Sequence, residues 1–350
     1  MLSAIFGISH ARRARRPVRL AGPAGSGAGA LRPTHPGEIM PDVSVCSSWE
    51  SSEGLRTQTG DTDFQNLWGA GCAGCRMSWF QKLFGYNHGV VIGMLHVPAL
   101  PGTPCHNMTL QAIIKKVCSE ARGYVQAGIT GLMLENMHDV PYIQPDDIGP
   151  EITTSMTAVS CAVRQEYPNI PIGVQVLSAA NKQALAVALA AGLDFIRAEG
   201  FVFSHIGDEG LQNACAGELL RYRRQIGADH IKVLTDIKKK HSSHAITSDV
   251  SISETAKSAE FFLSDGLIVT GTSTGVPASP QDIQEVREVV NLPVVIGSGV
   301  TVDNLHESRA MLHANGCIVG SHFKHGGHWQ NDVDLRRVKH FMDEAKTLQT

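Results

Sequence analysis

The sequence predicts an α/β protein in which eight parallel strands alternate with eight helices and close into a (β/α)8 barrel, preceded by an extension of different composition. Three observations predict it. Short continuous apolar runs, the pattern of strands covered on both faces, recur from Gly89 onward, and each is followed by helical periodicity. The alternation is strict, which favours a closed barrel over an open doubly wound sheet. The last two runs end in glycine, at Ile296-Gly297-Ser298-Gly299-Val300-Thr301 and at Val319-Gly320-Ser321. Glycine lets backbone N–H groups approach an anion, and these are the strand ends where such a barrel holds phosphate.

The units follow in order. Val90 to Leu95 is the first strand, and its helix places Leu110, Ile113, Ile114, Val117, Ala121 and Tyr124 on one face before Gly128 ends it. Gly131 to Leu134 is the second strand, with a helix from Pro150 towards Tyr167, proline suiting the first turn. The third unit is Ile172 to Leu177 with Asn181 to Ala191, and the fourth is Phe195 to Ala198 with Leu211 to Ile226. The fifth pairs Ile231 to Thr235 with a helix opened by the capping-box sequence Ser251-Ile252-Ser253-Glu254. The sixth pairs Leu267 to Thr270 with a helix opened by Ser279-Pro280. The glycine-ended strands are seventh and eighth, separated by a helix from Asn304 to His313 and closed by one from Asp332 to Leu348. Trp79 to Tyr86 is expected to cap the bottom of the barrel.

A chain of 350 residues has ample apolar content for a large core, and its net charge of -3 gives no reason to expect nucleic acid as a partner. A homo-oligomer is compatible with this composition. No apolar run approaches the roughly 18 residues of a transmembrane helix. The eight cysteines are not a disulfide framework; Cys118, Cys161 and Cys317 sit at apolar positions as small hydrophobes, and Cys72-Ala-Gly-Cys75 lacks a second metal-ligating pair.

Composition divides the chain near residue 77. From Met1 to Gly37 there are six arginines and no acidic residue, with Leu2, Ile5, Phe6 and Ile8 ahead of the basic cluster, as in a mitochondrial transit segment spanning 1–40. Residues 41–76 are rich in Ser, Gly and Thr without periodicity and read as a linker of low order, leaving 77–350 for the barrel. Met77 is an alternative start, which would leave a cytoplasmic protein.

Chemistry in such a barrel collects where strands end. Those positions supply His96, then Glu135 and Asn136, Gln175, Arg197 and Glu199, Asp236 and Lys238, and the run Thr270 to Gly275. Asp236 and Lys238 alternate, so both should face the same way and form either a proton-relaying pair or a structural ion pair. Lys238 could also serve as a Schiff-base nucleophile if desolvated. Glu135, Glu199 and Asp236 could converge as oxygen ligands for Mg²⁺, although Glu199 could equally pair with Arg197 or Lys238. His96 reads as a general acid or base, or as a hydrogen-bonded structural histidine. Ser298, Gly299, Gly320 and Ser321 read as the phosphate site, the alternative being tight helix–strand packing. Lys239, Lys240 and His241 read as a solvated loop or phosphate contacts rather than catalysts. His205, His241 and His244 lack zinc-like spacing.

Five ordered motifs carry a family resemblance. Val91-Ile92-Gly93-Met94-Leu95-His96-Val97-Pro98-Ala99-Leu100-Pro101-Gly102, Leu134-Glu135-Asn136, Arg197-Ala198-Glu199, Asp236-Ile237-Lys238-Lys239-Lys240-His241 and Gly297-Ser298-Gly299-Val300-Thr301 resemble the BtpA family. The similarity spans residues 89–345 and leaves 1–76 outside. It implies a TIM-barrel fold allied to the ribulose-phosphate-binding barrels. The cyanobacterial namesake of the family is associated with photosystem I biogenesis, which a mitochondrial leader does not suit.

Two functions are expected from these readings. The first is an enzyme, a lyase, isomerase or hydrolase, acting on a small phosphorylated metabolite such as a sugar or nucleotide derivative. In it Ser298, Gly299, Gly320 and Ser321 hold the phosphate, Asp236 and Lys238 move protons, and Glu135, Glu199 and His96 complete the mouth. The second is a non-catalytic assembly or stabilisation factor for a larger complex.

Overall fold

Valine, isoleucine and leucine runs too short for helices, each flanked by an amphipathic segment, have only one way to bury both faces: a parallel sheet wrapped in helices. A computed structural model describes residues 78–305 and 314–348. It places the strands β1 (Val90–His96), β2 (Gly131–Glu135), β3 (Ile172–Gln175) and β4 (Phe195–Ala198) in sequence. A small hairpin, β5 (His205–Gly207) and β6 (Gly210–Gln212), intervenes before β7 (Lys232–Ile237) and the short β8 (Ser242–Ser243). β9 (Gly266–Val269), β10 (Val294–Ile296) and β11 (Gly316–Val319) complete the set. Eight of these strands close into the expected barrel, in the order β1-β2-β3-β4-β7-β9-β10-β11 and back to β1, every pairing parallel.

Helices α2 (Leu110–Gln126), α3 (Pro150–Glu166), α4 (Asn181–Ala191), α5 (Ala216–Gln225), α6 (Ile252–Phe261), α7 (Pro280–Val289), α8 (Val302–Leu305) and α9 (Leu335–Ala345) pack outside; α1 (Trp79–Phe84) precedes β1. Start signals visible in the sequence operate as expected. Ser251 accepts from the Glu254 amide at 3.1 Å while its own amide donates to the Glu254 carboxylate at 2.8 Å, and Ser279 caps α7. The core has two layers. Val91, Leu95 and their counterparts face the helices, whereas Val90, Ile92, Met94, Met133, Phe195 and Leu234 fill the barrel interior. Gly173 is required there, because a Cβ would stand 2.2 Å from the Phe195 ring. Phe80 and Phe84 of α1 join this inner column, Phe84 packing 5.8 Å from Phe195, so α1 closes the bottom as expected.

Several boundaries differ. The helix expected over 211–226 starts at Ala216, because Gly210 adopts φ +110° and turns the preceding chain into a hairpin that takes Leu211. The third strand stops at Gln175, since both the N–H and C=O of Leu177 are bound by the Asn136 side chain instead of a neighbouring strand. The closing helix begins at Leu335, where Asp334 caps it, and ends in a 3₁₀ turn over Lys346–Leu348. Of the helix expected over 304–313, α8 is described and 306–313 lie outside the described residues. The transit segment at 1–40, the linker at 41–76 and the Cys72/Cys75 pair also lie outside them. Cys118 and Cys317 are buried free thiols, and Cys161 is partly buried. No described helix is long and apolar enough to cross a membrane.

Candidate functional site at the mouth of the barrel

Strand register brings the polar residues level. His96 pairs with Glu135, and Glu135 with Gln175, across three adjacent strands, so their side chains emerge at one height. Arg197 and Asp236, from the adjacent strands β4 and β7, meet in a buried two-pronged ion pair, Nε to Oδ2 and Nη2 to Oδ1, each 2.9 Å. Asp236 therefore pairs with Arg197, and the expected Asp236–Lys238 pair does not form. The reason is local: strand β7 ends at Ile237 and Lys238 takes φ +48°, which breaks the alternation. The Lys238 ammonium donates to the Thr247 carbonyl at 2.9 Å, away from the main cavity.

The same turn sends the next two lysines into the mouth. Lys239 is buried, 3.2 Å from the Glu199 carboxylate and 3.8 Å from that of Glu209. Burial favours the neutral form of Glu199, but Lys239, the Ala179 amide at 2.9 Å and Arg197 outweigh it and hold this carboxyl below the ordinary range. Glu135 goes the other way. Burial dominates and raises it despite Arg197 and Lys240, because Arg197 is committed to Asp236. His96, whose Nε2 lies 3.7 Å from Glu135 and whose Nδ1 faces the Trp329 carbonyl at 3.4 Å, is pushed well below its usual value by burial, Lys324 and His138. It is a neutral imidazole beside a carboxyl that resists ionisation. Lys240 lies over the cavity with its pKa lowered, chiefly by burial and then by Arg197.

Two adjoining chambers open at this mouth, with volumes of about 130 and 360 Å³, and share Glu135, Met137, Arg197, Lys240 and Thr274. The narrow one is walled by the ends of β10 and β11, including Ser298, Gly299, Gly320, Ser321 and the side chains of His322 and Arg337. Gly299 has φ +69°, and a Cβ there would fall 2.2 Å from the Pro277 nitrogen. The Ser298 hydroxyl is already used: it accepts from the Gly271 amide at 2.7 Å and donates to the Val276 carbonyl at 2.9 Å, tying the loop after β9 to the end of β10. Ser298 thus contributes chamber wall and rim rigidity, while its hydroxyl is turned to the loop.

The wide chamber is lined by Tyr142, Leu177, Gln175 and Trp329 together with Glu199 and Glu209. The Gln175 Oε1 is buried with no hydrogen-bond partner among the described residues. The lining of this chamber includes Asp208 and Glu209, the turn of a three-stranded sheet, β6-β5-β8 (the roof), absent from the sequence reading. Glu209, in the β5–β6 turn, latches that roof to the barrel through Ser178 and to β6 through Gln212 at 2.9 Å. Among the described residues no three His, Cys, Asp or Glu side chains gather as a metal-ligand set. A divalent ion at Glu135, Glu199 and Asp236 would have to displace Lys239 and Arg197 from two of the three.

Of the residues expected from the sequence, the structure brings Glu135, Glu199 and His96 to the chambers and Ser298, Gly299, Gly320 and Ser321 to the narrow one; Asp236, bound to Arg197, lines neither chamber but a separate small cavity that Lys238 also lines. Arg197, Lys239 and Lys240 rank above what the sequence suggested. A turn after Ile237 would have signalled the two lysines, and no motif announces Glu209 or Trp329, which arrive from loops.

Fold and site together define a (β/α)8-barrel protein with a charged, two-chambered mouth. The chain belongs to the BtpA family, whose model matches residues 87–347. An uncharacterized mitochondrial protein of Caenorhabditis elegans is 50% identical over 76% of this chain and 96% of its own length. The photosystem I biogenesis protein BtpA of Synechocystis is 32% identical over 73% of this chain and 88% of its own length. Among solved structures, (S)-3-O-geranylgeranylglyceryl phosphate synthase from Thermoplasma acidophilum has TM-score 0.48 at 11% identity, covering 78% of this chain and 100% of that one. Thiamine phosphate pyrophosphorylase from Pyrococcus furiosus has TM-score 0.47 at 14% identity, covering 75% and 97%.

Proposed function

We propose that this protein is an enzyme acting on a small phosphorylated metabolite, a sugar or nucleotide derivative, by isomerisation, aldol-type cleavage or hydrolysis. One observation carries the reading: the glycine-bearing ends of β10 and β11 wall a chamber that also holds Glu135, Arg197 and Lys240. Backbone N–H groups at Gly299, Gly320 and Ser321, with Arg337 nearby, suit a phosphate; the wider chamber suits the rest of the molecule. Glu135, kept protonated more easily than an ordinary carboxyl, suits proton transfer, with His96 beside it. Glu199 and Asp236 hold Lys239 and Arg197 in place.

The test is thermal stability against a panel of phosphorylated metabolites, with and without Mg²⁺. A ligand at a hundred times its Kd should stabilise by about 2.7 kcal/mol. Ser321→Glu should abolish that shift by excluding and repelling the phosphate, and an unchanged affinity would count against this chamber. A second reading, an assembly factor for a larger complex, draws on the name of the Synechocystis relative. It would replace the first if no metabolite shifted the melting and a protein complex co-purified in fixed stoichiometry.

The arginine-rich, acid-free stretch at 1–37 and the mitochondrial name of the Caenorhabditis elegans relative support a mitochondrial location. Residues 1–76 fused to a fluorescent reporter should carry it to mitochondria, and the chain begun at Met77 should stay in the cytoplasm. A diffuse signal from the fusion would remove this reading.

A further inference from the structure

Three lysines in and around the mouth are buried or nearly so, and two of them are paired. Lys239 meets Glu199, and Lys324 meets Glu120 at 3.1 Å. Lys240 differs: its ammonium has no ion-pair or hydrogen-bond partner among the described residues, although its backbone is pinned on both sides. Its amide donates to Thr270 Oγ1 at 3.0 Å, and its carbonyl accepts from Ser242 Oγ at 3.2 Å. Its side chain lines both chambers and stands between them with Glu135, Arg197 and Thr274. The charges facing it are Arg197, which disfavours a second cation, and Glu135, Asp236 and Glu199, which favour one. Asp236 and Glu199 already answer Arg197 and Lys239. Burial and Arg197 prevail, and the amine loses its proton more readily than an exposed lysine.

We propose that Lys240 is a nucleophilic amine that condenses with the carbonyl carbon of the ligand to form an iminium, which makes the substrate a phosphorylated aldehyde or ketone. The phosphate half of that statement rests on the function proposed above; the amine half does not. The neutral amine adds to the carbonyl carbon, the C=O π pair moves to oxygen, and one proton passes from nitrogen to that oxygen. The resulting hydroxyl takes a proton from Glu135 and leaves as water while the nitrogen lone pair forms the C=N bond. The products are a cationic iminium, a Glu135 carboxylate and one water. The iminium draws electrons from the adjoining carbon, which eases loss of a proton or a carbon fragment there and so serves isomerisation or aldol-type cleavage. Lys238, the lysine the sequence nominated for this chemistry, is held by the Thr247 carbonyl outside both chambers.

Reductive methylation tests this without knowledge of the substrate, because formaldehyde forms the same iminium and cyanoborohydride fixes it. At pH 7, peptide mass spectrometry of the intact protein's reaction should show Lys240 methylated several-fold faster than exposed Lys115, because only the free amine reacts. Lys240 modified no faster than Lys115 overturns the proposal. Inorganic phosphate in excess separates the two halves. If it slows Lys240 alone, amine and phosphate chamber both stand; if Lys240 stays fast and unaffected, the amine stands and the phosphate chamber falls. Lys240→Arg should remove the fast site without another lysine replacing it, and the unsubstituted protein's rates decide the matter even if that variant does not fold.

Discussion

Two buried carboxyls, at the ends of β2 and β4 on either side of β3, behave oppositely. Glu199 receives Lys239 and a backbone amide and is drawn down, whereas Glu135 has an already committed arginine and a neutral histidine for neighbours and is driven up. The commitment of Arg197 is therefore the pivot of the mouth. Asp236→Ala would leave its guanidinium buried and unpaired, and should cost about 3–5 kcal/mol, because breaking a buried pair strands a charge. Chemical denaturation of the variant measures it; a loss below about 1 kcal/mol, typical of exposed pairs, would show the pair is not structurally binding. The sequence revealed that charges gather at strand ends, since each follows an apolar run. It did not reveal who partners whom. Lys238 looked inward on a strand alternation that one positive φ interrupts, and that same turn moved Lys239 and Lys240 from an apparent solvated run into the site.

At the scale of elements, the roof β6-β5-β8 is what distinguishes this mouth from an open barrel top. Its strands are two or three residues long, too short for a periodic signal, and Leu211 read as helix. The helix starts at Ser251 and Ser279 were legible because capping is a local rule carried by one or two side chains. The roof is joined to the barrel by a carboxylate whose partners there, Ser178 and Lys239, are remote in sequence. Glu209→Gln keeps the shape of that side chain but removes its charge from Lys239 and its full acceptor capacity from Ser178 and Gln212. Amide hydrogen exchange over 205–212 should accelerate several-fold in the variant while β1 to β4 remain unchanged. Equal protection in both proteins would mean that strand pairing, not the latch, holds the roof.

For the molecule as a whole, acid should be destabilising well before ordinary carboxylates titrate. Burial, reinforced by nearby cations, depresses His138, His205 and His322 to about 4 each, and His96 is lowered too. Free histidine titrates near 6.5, so between those values the unfolded chain holds protons the folded chain refuses. Stability attributable to these groups is therefore complete above about pH 6.5 and falls as pH drops toward 4, with unfolding taking up about one proton per histidine. The depressed Glu199 adds a loss of the same sign at lower pH. Melting temperatures measured from pH 7.5 to 4.5 should decline through this window, and a flat profile would contradict it.

The barrel itself was legible nearly to its ends, because parallel strands covered on both faces cannot hide their apolar runs and eight of them in alternation with helices leave few ways to close. The floor of that barrel has a separate consequence. Phe80 and Phe84 stopper the lower end and aromatic and aliphatic side chains fill the shaft above them, so nothing diffuses through. Among the described residues the two chambers therefore open at the upper face, where the roof latched by Glu209 stands. For the enzyme proposed above, product would have to leave by the face through which the next substrate arrives.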